Sequence, residues 1–292
     1  MLTGITVCIL VLTAVPYSAV RVVAALPDLG SIAAAIGGNN VEVSAIAKAN
    51  ANPHSVEVLP SYMAKVSRAA VYLKSGLGLD QWSDAVVDGS RNNKLLVVDC
   101  SEGVTVLDKP VKVDASMGDV HPFGNPHYWL DPRNGIIIAR NIAAGLITAD
   151  PSHRAEYEAA LATFENELNG YYEQWRGKLA GLAGHSIISY HSSWAYFADA
   201  FGLTIEGHIE PFPGIPPTGS HLAALVGLIK NRHIILILQE PYFSDDATRF
   251  LNRQTGIPVV KTAPSCADVK ADSYRTHFGA LVSELLNATG GK

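Results

Sequence analysis

Past residue 19 the chain alternates short apolar runs with longer amphipathic stretches. "VRVVAAL" (20–26) predicts a buried strand, "DLGSIAAAIGG" (28–38) a helix ended by glycine, and "VEVSAIA" (41–47) a second strand. A helix near "PSYMAKVSRA" and strands at "AVYLKSG" and "KLLVVDC" continue the alternation. That grammar predicts a mainly parallel sheet with helices on its faces. It returns beyond residue 183, with strands "SIISY", "LTIEGHI", "HIILILQ" and "PVVKT" separated by helices "SSWAYFADAF", "GSHLAALVGLIKN" and "DDATRFLNRQ". The expected fold class is α/β, with one lobe at 20–149 and a second at 183–292.

Between the lobes, from Asp150-Pro151 to about residue 182, the period becomes helical: Tyr157, Leu161, Phe164, Leu168, Tyr171, Trp175, Leu179 and Leu182 recur at spacings of three and four. A single helix of about 32 residues would reach roughly 48 Å, too long for an ordinary crossover. Gly170 and Gly177 weaken it, but the stripe runs past both, so it reads as a rigid backbone shared by the lobes.

A chain of 292 residues, 48% hydrophobic, has ample material for a large core. Its formal charge of −5 has no long basic or acidic run behind it, so neither nucleic acid nor a membrane surface is indicated as a partner. The first twenty residues carry no charged side chain, and "ITVCILVLTAV" followed by "YSA" has the length and small residues of a signal peptide cleaved after Ala19. An extracytoplasmic location is therefore expected. Val7 before Cys8 does not fit a lipid-attachment motif. Once a leader is removed Cys100 and Cys266 remain, either paired as a disulfide or left as two buried thiols.

The chemistry lies at predicted strand ends, where parallel α/β lobes bind ligands. In "GNPHYWLDPRN" (124–134), Pro126 restrains the backbone before His127, and Asp131-Pro132 predicts the cap and first residue of a helix. His54 follows the second strand, His191 ends "SIISY" and Glu240 ends "HIILILQ". A cleft between lobes would bring these residues together. Neutral imidazoles with one carboxylate suit Zn²⁺; Mn²⁺ would favour more oxygen ligands. Each residue alone has an ordinary alternative as a hydrogen-bonded cleft or core side chain, and His153, His185, His208, His221, His233 and His277 are read that way.

The stretches "VVAALPDLGSIAAAIGGNNVEVSAI", "NPHSVEVLPSYMAKVSRA", "LKSGLGLDQW", "NPHYWLDPRN", "ISYHSSWAYFADAFGL" and "QEPYFSDDATRFLNRQTGIPVV" resemble, in order and spacing, the solute-binding proteins of zinc and manganese ABC importers, cluster A-I or cluster 9. The resemblance implies metal ligation by His54, His127 and His191, a backbone helix that limits lobe motion, and delivery of the ion to a membrane permease by a monomeric receptor. Two departures stand out. "TAPS" puts Ala263 where many members carry a ligand aspartate, and the stretch "DASMGDVHPFG" is short, with His121 its one histidine, where many zinc-specific members carry a long His- and Asp-rich loop. Glu240 is the leading replacement for the missing aspartate, with Asp268, Glu210, Cys266 and water as alternatives; His121 is either an auxiliary ligand or an exposed loop residue.

Alternatives to zinc import are manganese import, a zinc chaperone or adhesin of the same fold, and a zinc hydrolase with an open coordination position. Against the last, the chain has no H-E-x-x-H and no identifiable separate general base. The expectation is a binding protein, not an enzyme.

Overall fold

A computed structural model describes residues 19–110 and 121–290. Residues 1–18 of the expected leader, Cys8 among them, lie outside the described residues, as does the part of the "DASMGDVHPFG" stretch before His121. The first lobe is built on four parallel strands, β1 (Val20–Ala24), β2 (Val41–Ala45), β3 (Val71–Lys74) and β4 (Leu96–Asp99), in the order β2-β1-β3-β4. The second lobe has β5 (Ser186–Ser189), β6 (Thr204–His208), β7 (Ile237–Gln239) and β8 (Val259–Lys261) in the order β6-β5-β7-β8. Both sheets thus share one topology. In each, the connections diverge from the first strand to opposite sides, which leaves a crevice at the carboxyl ends where ligands are held in open α/β sheets.

Helices α1 (Pro27–Gly37), α2 (Pro60–Val66), α3 (Trp82–Ser90) and α4 (Pro132–Ala149) belong to the first lobe; α6 (Ala195–Phe201), α7 (Gly219–Arg232) and α8 (Asp246–Thr255) belong to the second. Between them runs α5 (Arg154–Lys178), and α9 (Ser273–Thr289) closes the chain. The expected helix over 150–182 resolves into a 3₁₀ turn at Pro151–His153, the 25 residues of α5 and a second 3₁₀ turn at Ala180–Leu182. The α-helical part is therefore about 37 Å long rather than 48. Its buried stripe also corrects one residue: Tyr172, four positions after Leu168, faces the core, while Tyr171 is 39% exposed. Tyr171 instead stacks on Trp175, its ring 5.7 Å away, beneath the Arg275 guanidinium.

One continuous apolar core runs from β1 through α4, α5, α6 and α9 to β7, so the lobes share their interior. Gly135 permits part of this: a Cβ there would lie 2.8 Å from Leu168 on α5 and 2.9 Å from Tyr274 on α9. A polar seam follows the same boundary. Cys266 N–H donates to Asp28 Oδ1 (3.1 Å), Ser31 Oγ donates to the Lys270 carbonyl (2.6 Å), and Trp129 Nε1 donates to the Pro264 carbonyl (2.8 Å). Cys100 and Cys266 are both free and fully buried, which excludes the disulfide alternative. Cys100 is packed into the shared core, whereas the Cys266 thiol donates to the Asp268 carbonyl at 3.2 Å.

Candidate metal centre

Two of the three expected histidines are set by the same local device. Asn52-Pro53-His54 and Asn125-Pro126-His127 each fold so that the asparagine Oδ1 accepts the histidine backbone N–H, at 3.0 and 3.1 Å. Asparagine favours such a turn because its side chain mimics a backbone carbonyl, and the intervening proline has no N–H to compete. The first turn is pinned where the Pro53 carbonyl accepts from Trp82 Nε1 (2.9 Å). The second runs into a 3₁₀ turn, Tyr128–Leu130, whose Tyr128 hydroxyl donates to the Ser75 carbonyl (2.8 Å). As expected, Asp131 then caps α4, accepting from Arg133 N–H at 2.7 Å, with Pro132 as its first residue. His191 leaves β5 in extended conformation, and its carbonyl accepts from the Ser189 hydroxyl (2.7 Å).

These turns bring His54, His127 and His191 together in the cleft, one ligand nitrogen from each lying within 4.8 Å of the others. His127 is fully buried and His191 nearly so, while His54 is partly open to solvent. The Nε2 atoms of His54 and His127 are 3.0 Å apart. Nitrogens bound about 2.0–2.1 Å from a tetrahedral zinc lie roughly 3.3–3.4 Å from one another, so the pair is near ligand spacing. His191 Nδ1 faces Glu210 Oε2 at 2.7 Å, and its buried Nε2 has no hydrogen-bond partner among the described residues. A buried nitrogen without a partner is costly in a folded protein and fits a ligand position. Beside the histidines is a cavity of about 90 Å³ lined by Asn52, His54, His121, His191, Glu210 and Phe243, among others.

Burial also sets the protonation state of the cluster. Burial, followed by the neighbouring imidazoles, holds His54 and His127 well below the ordinary value of 6.5, so both are neutral at neutral pH. Neutral imidazoles are the form that binds metal.

Glu240 is fully buried just beyond β7 but lies outside the three-nitrogen cluster. Burial pushes its carboxyl up to about 7, and His191 is the largest opposing influence. Neither oxygen makes a hydrogen bond among the described residues, although Ser193 and Trp194 are near enough to ease ionisation. Glu210 uses an oxygen to hold His191 and sits on the cavity wall. Asp268 is engaged by Lys270 and Ser273, and those bonds hold its carboxyl below the usual range. Cys266 is also outside the cluster. His121 stacks on His54 with ring centroids 4.8 Å apart, at the cavity wall rather than within the ligand set. Residue-by-residue reading of the sequence overlooked Asn52 and Asn125; the repeated Asn-Pro-His tripeptide was the signal available.

A two-lobed α/β fold with three imidazoles converging in its cleft defines a metal-binding protein of the solute-receptor class. Residues 22–288 match the profile of the family described as zinc-uptake complex component A, periplasmic, and the chain belongs to that family. It is 26% identical over 232 residues to a putative metal-binding protein of Treponema pallidum, covering 77% of this chain and 72% of the relative. It is 25% identical over 248 residues to the manganese ABC transporter substrate-binding lipoprotein PsaA of Streptococcus mitis, covering 82% and 78%. Among solved structures, the crystal structure of ZnuA superposes with a TM-score of 0.80 at 28% identity, over 93% of this chain and 100% of that one.

Proposed function

We propose that this protein is an exported receptor that captures Zn²⁺ between its lobes and delivers it to the membrane permease of an ABC importer. The observation that carries the reading is the convergence of three imidazole nitrogens within 4.8 Å in a largely buried cleft. Nitrogen donors favour zinc over manganese, whose preference is for oxygen-rich sites. Family membership supports capture and transfer as the activity, and the manganese receptor among the relatives makes the choice of metal the point to test.

His54, His127 and His191 supply three ligands in this proposal. Glu240 remains the first candidate for the fourth, as a fully buried carboxylate directly after β7 that is influenced by the charge of His191. To reach the ion its side chain must turn toward the histidine cluster, and a cation would favour its ionised form. Water is the competing fourth ligand.

The protein is expected to act as a monomer, with one ion per chain. No helix among the described residues is long and apolar enough to cross a membrane. The test is metal analysis of purified protein, then competition between Zn²⁺ and Mn²⁺ at fixed pH. One tightly held zinc that manganese displaces only in large excess supports the proposal; preferential manganese retention overturns it. In a zinc-bound crystal structure, a Glu240 oxygen about 2.0–2.2 Å from the ion supports direct ligation, and a distant Glu240 with water in its place rejects it.

A further inference from the structure

We propose that Asn125 is a positioning residue that selects the tautomer of His127 and ties it to the loop carrying His191, holding imidazoles from opposite lobes at metal-binding distance before the ion arrives. This rests on the three-histidine reading and adds a residue outside the ligand set. The orientation of the Asn125 amide is fixed by two backbone groups. Its Oδ1 faces the His127 backbone N–H at 3.1 Å, a group that can only donate. Its Nδ2 faces the Ser192 carbonyl at 2.8 Å, a group that can only accept. Those contacts fix which end of the side chain is oxygen and which is nitrogen.

With the amide fixed, the tautomer of the neighbouring ring follows. His127 Nδ1 lies 2.9 Å from the same Oδ1, so Nδ1 carries the proton and Nε2 keeps its lone pair. Nε2 is the atom that meets His54 at 3.0 Å. His191 is treated similarly by Glu210, whose Oε2 lies 2.7 Å from Nδ1 and leaves Nε2 for the ion. The difference is that Asn125 acts across the lobe boundary. One end of its amide holds a ligand of the first lobe, and the other holds the residue next to a ligand of the second.

The surroundings make Asn125 a fixed point. It is 5% exposed, and its backbone N–H donates to the Leu107 carbonyl at 2.8 Å. Its own carbonyl accepts from the Tyr196 hydroxyl of α6 (2.9 Å), and that hydroxyl also accepts from Leu107 N–H (3.0 Å). Asp108 Oδ2 accepts a second bond from Nδ2 at 3.1 Å. A side chain bound at both ends and along its backbone loses little further freedom when metal binds, which is the condition for an organised site.

The experiment compares wild type with Asn125→Asp and Asn125→Leu. Long-range ¹H–¹⁵N NMR of the metal-free proteins reads the His127 tautomer, chelator competition reads zinc affinity, and circular dichroism checks folding. Asn125→Asp keeps the acceptor but turns a carboxylate oxygen toward the Ser192 carbonyl and Asp108. His127 should remain protonated on Nδ1 while affinity falls about tenfold through the lost interlobe tie. Asn125→Leu removes both functions, so the tautomers should mix and affinity should fall toward the 100-fold end of the range of about 10–100 seen when a ligand's hydrogen-bond partner is lost. A wild-type His127 protonated on Nε2 overturns the proposal, as does Asn125→Leu with unchanged tautomer and affinity. If wild type binds no zinc, the receptor reading fails, yet the tautomer measurement still decides the role of Asn125 because it needs no metal. Should the leucine variant fail to fold, the wild-type tautomer decides the first function and the aspartate variant the second, an unchanged zinc affinity in Asn125→Asp overturning the interlobe tie.

Discussion

The Asp28 carboxyl sits on the interlobe seam at the first turn of α1, and replacing it with asparagine gives a quantitative test of that seam. The side chain is fully buried and accepts from Cys266 N–H, and burial raises its carboxyl from an ordinary value of 3.8 to about 6. The folded protein therefore holds this proton more tightly than the unfolded chain. The stabilising contribution is fully present below pH 3.8 and is lost as the pH rises through about 6. A displacement of roughly two units corresponds to about 3 kcal/mol between the protonated and ionised limits. Asp28→Asn preserves the acceptor toward Cys266 but cannot ionise, so it avoids that loss. Urea unfolding of the metal-free proteins from pH 4 to pH 8, compared as variant minus wild type at each pH, cancels groups that titrate alike in both. The difference should move in favour of the variant by roughly 2–3 kcal/mol across the range, mostly below pH 7. A difference that stays constant with pH would show that Asp28 is not held protonated by burial and would refute the reasoning.

His191→Ala should weaken zinc binding beyond the roughly 10–100-fold that loss of an outer hydrogen-bond partner produces, and Glu210→Gln should fall within that range, both read by competition with a chromophoric chelator. Burial keeps His54 and His127 neutral below the ordinary imidazole value, so acid should compete with zinc at these two ligands only well below pH 6.5; affinity titrated from pH 7 to pH 4 checks this, and a steep loss already complete at pH 6 would contradict it. Protein lacking residues 1–19 should expose two thiols to an aromatic disulfide reagent under denaturing conditions and react slowly when folded, because both cysteines are buried.

The strand and helix alternation was legible because each lobe repeats a period that local sequence imposes, and Asp131-Pro132 announced α4 through the ordinary chemistry of a helix start. The three histidines were legible as a set because parallel strands deliver their carboxyl ends to one side, and the family resemblance added their role. The two carboxylates were harder. Glu210 and Glu240 both leave strands at the same end of one sheet, and only packing decides that Glu210 reaches His191 while Glu240 is enclosed beside Ser193 and Trp194. Tyr171 and Tyr172 illustrate the same limit within a helix, since a one-residue choice within the apolar stripe sends a ring to the core or to solvent. The Asn125 bridge was hidden for a different reason: its partner Ser192 is 67 residues away, beyond any local pattern.

His54 and His127 come from the first lobe and His191 from the second, a two-to-one division of the imidazoles. In the proposed site, an ion held by the first pair would meet the remaining imidazole as an intramolecular partner, at an effective concentration set by the cleft rather than by bulk solution. Capture and release consequently need not be mirror images. There, withdrawal of His191 would leave the two first-lobe imidazoles as a pair, one of them the partly exposed His54, and so lower affinity in a single step. In the proposed receptor, long residence in the cleft and hand-over at a permease would then be compatible within one site, because release would break only the bonds made by the second lobe, His191 and any fourth ligand beside it, rather than dismantle the whole coordination sphere.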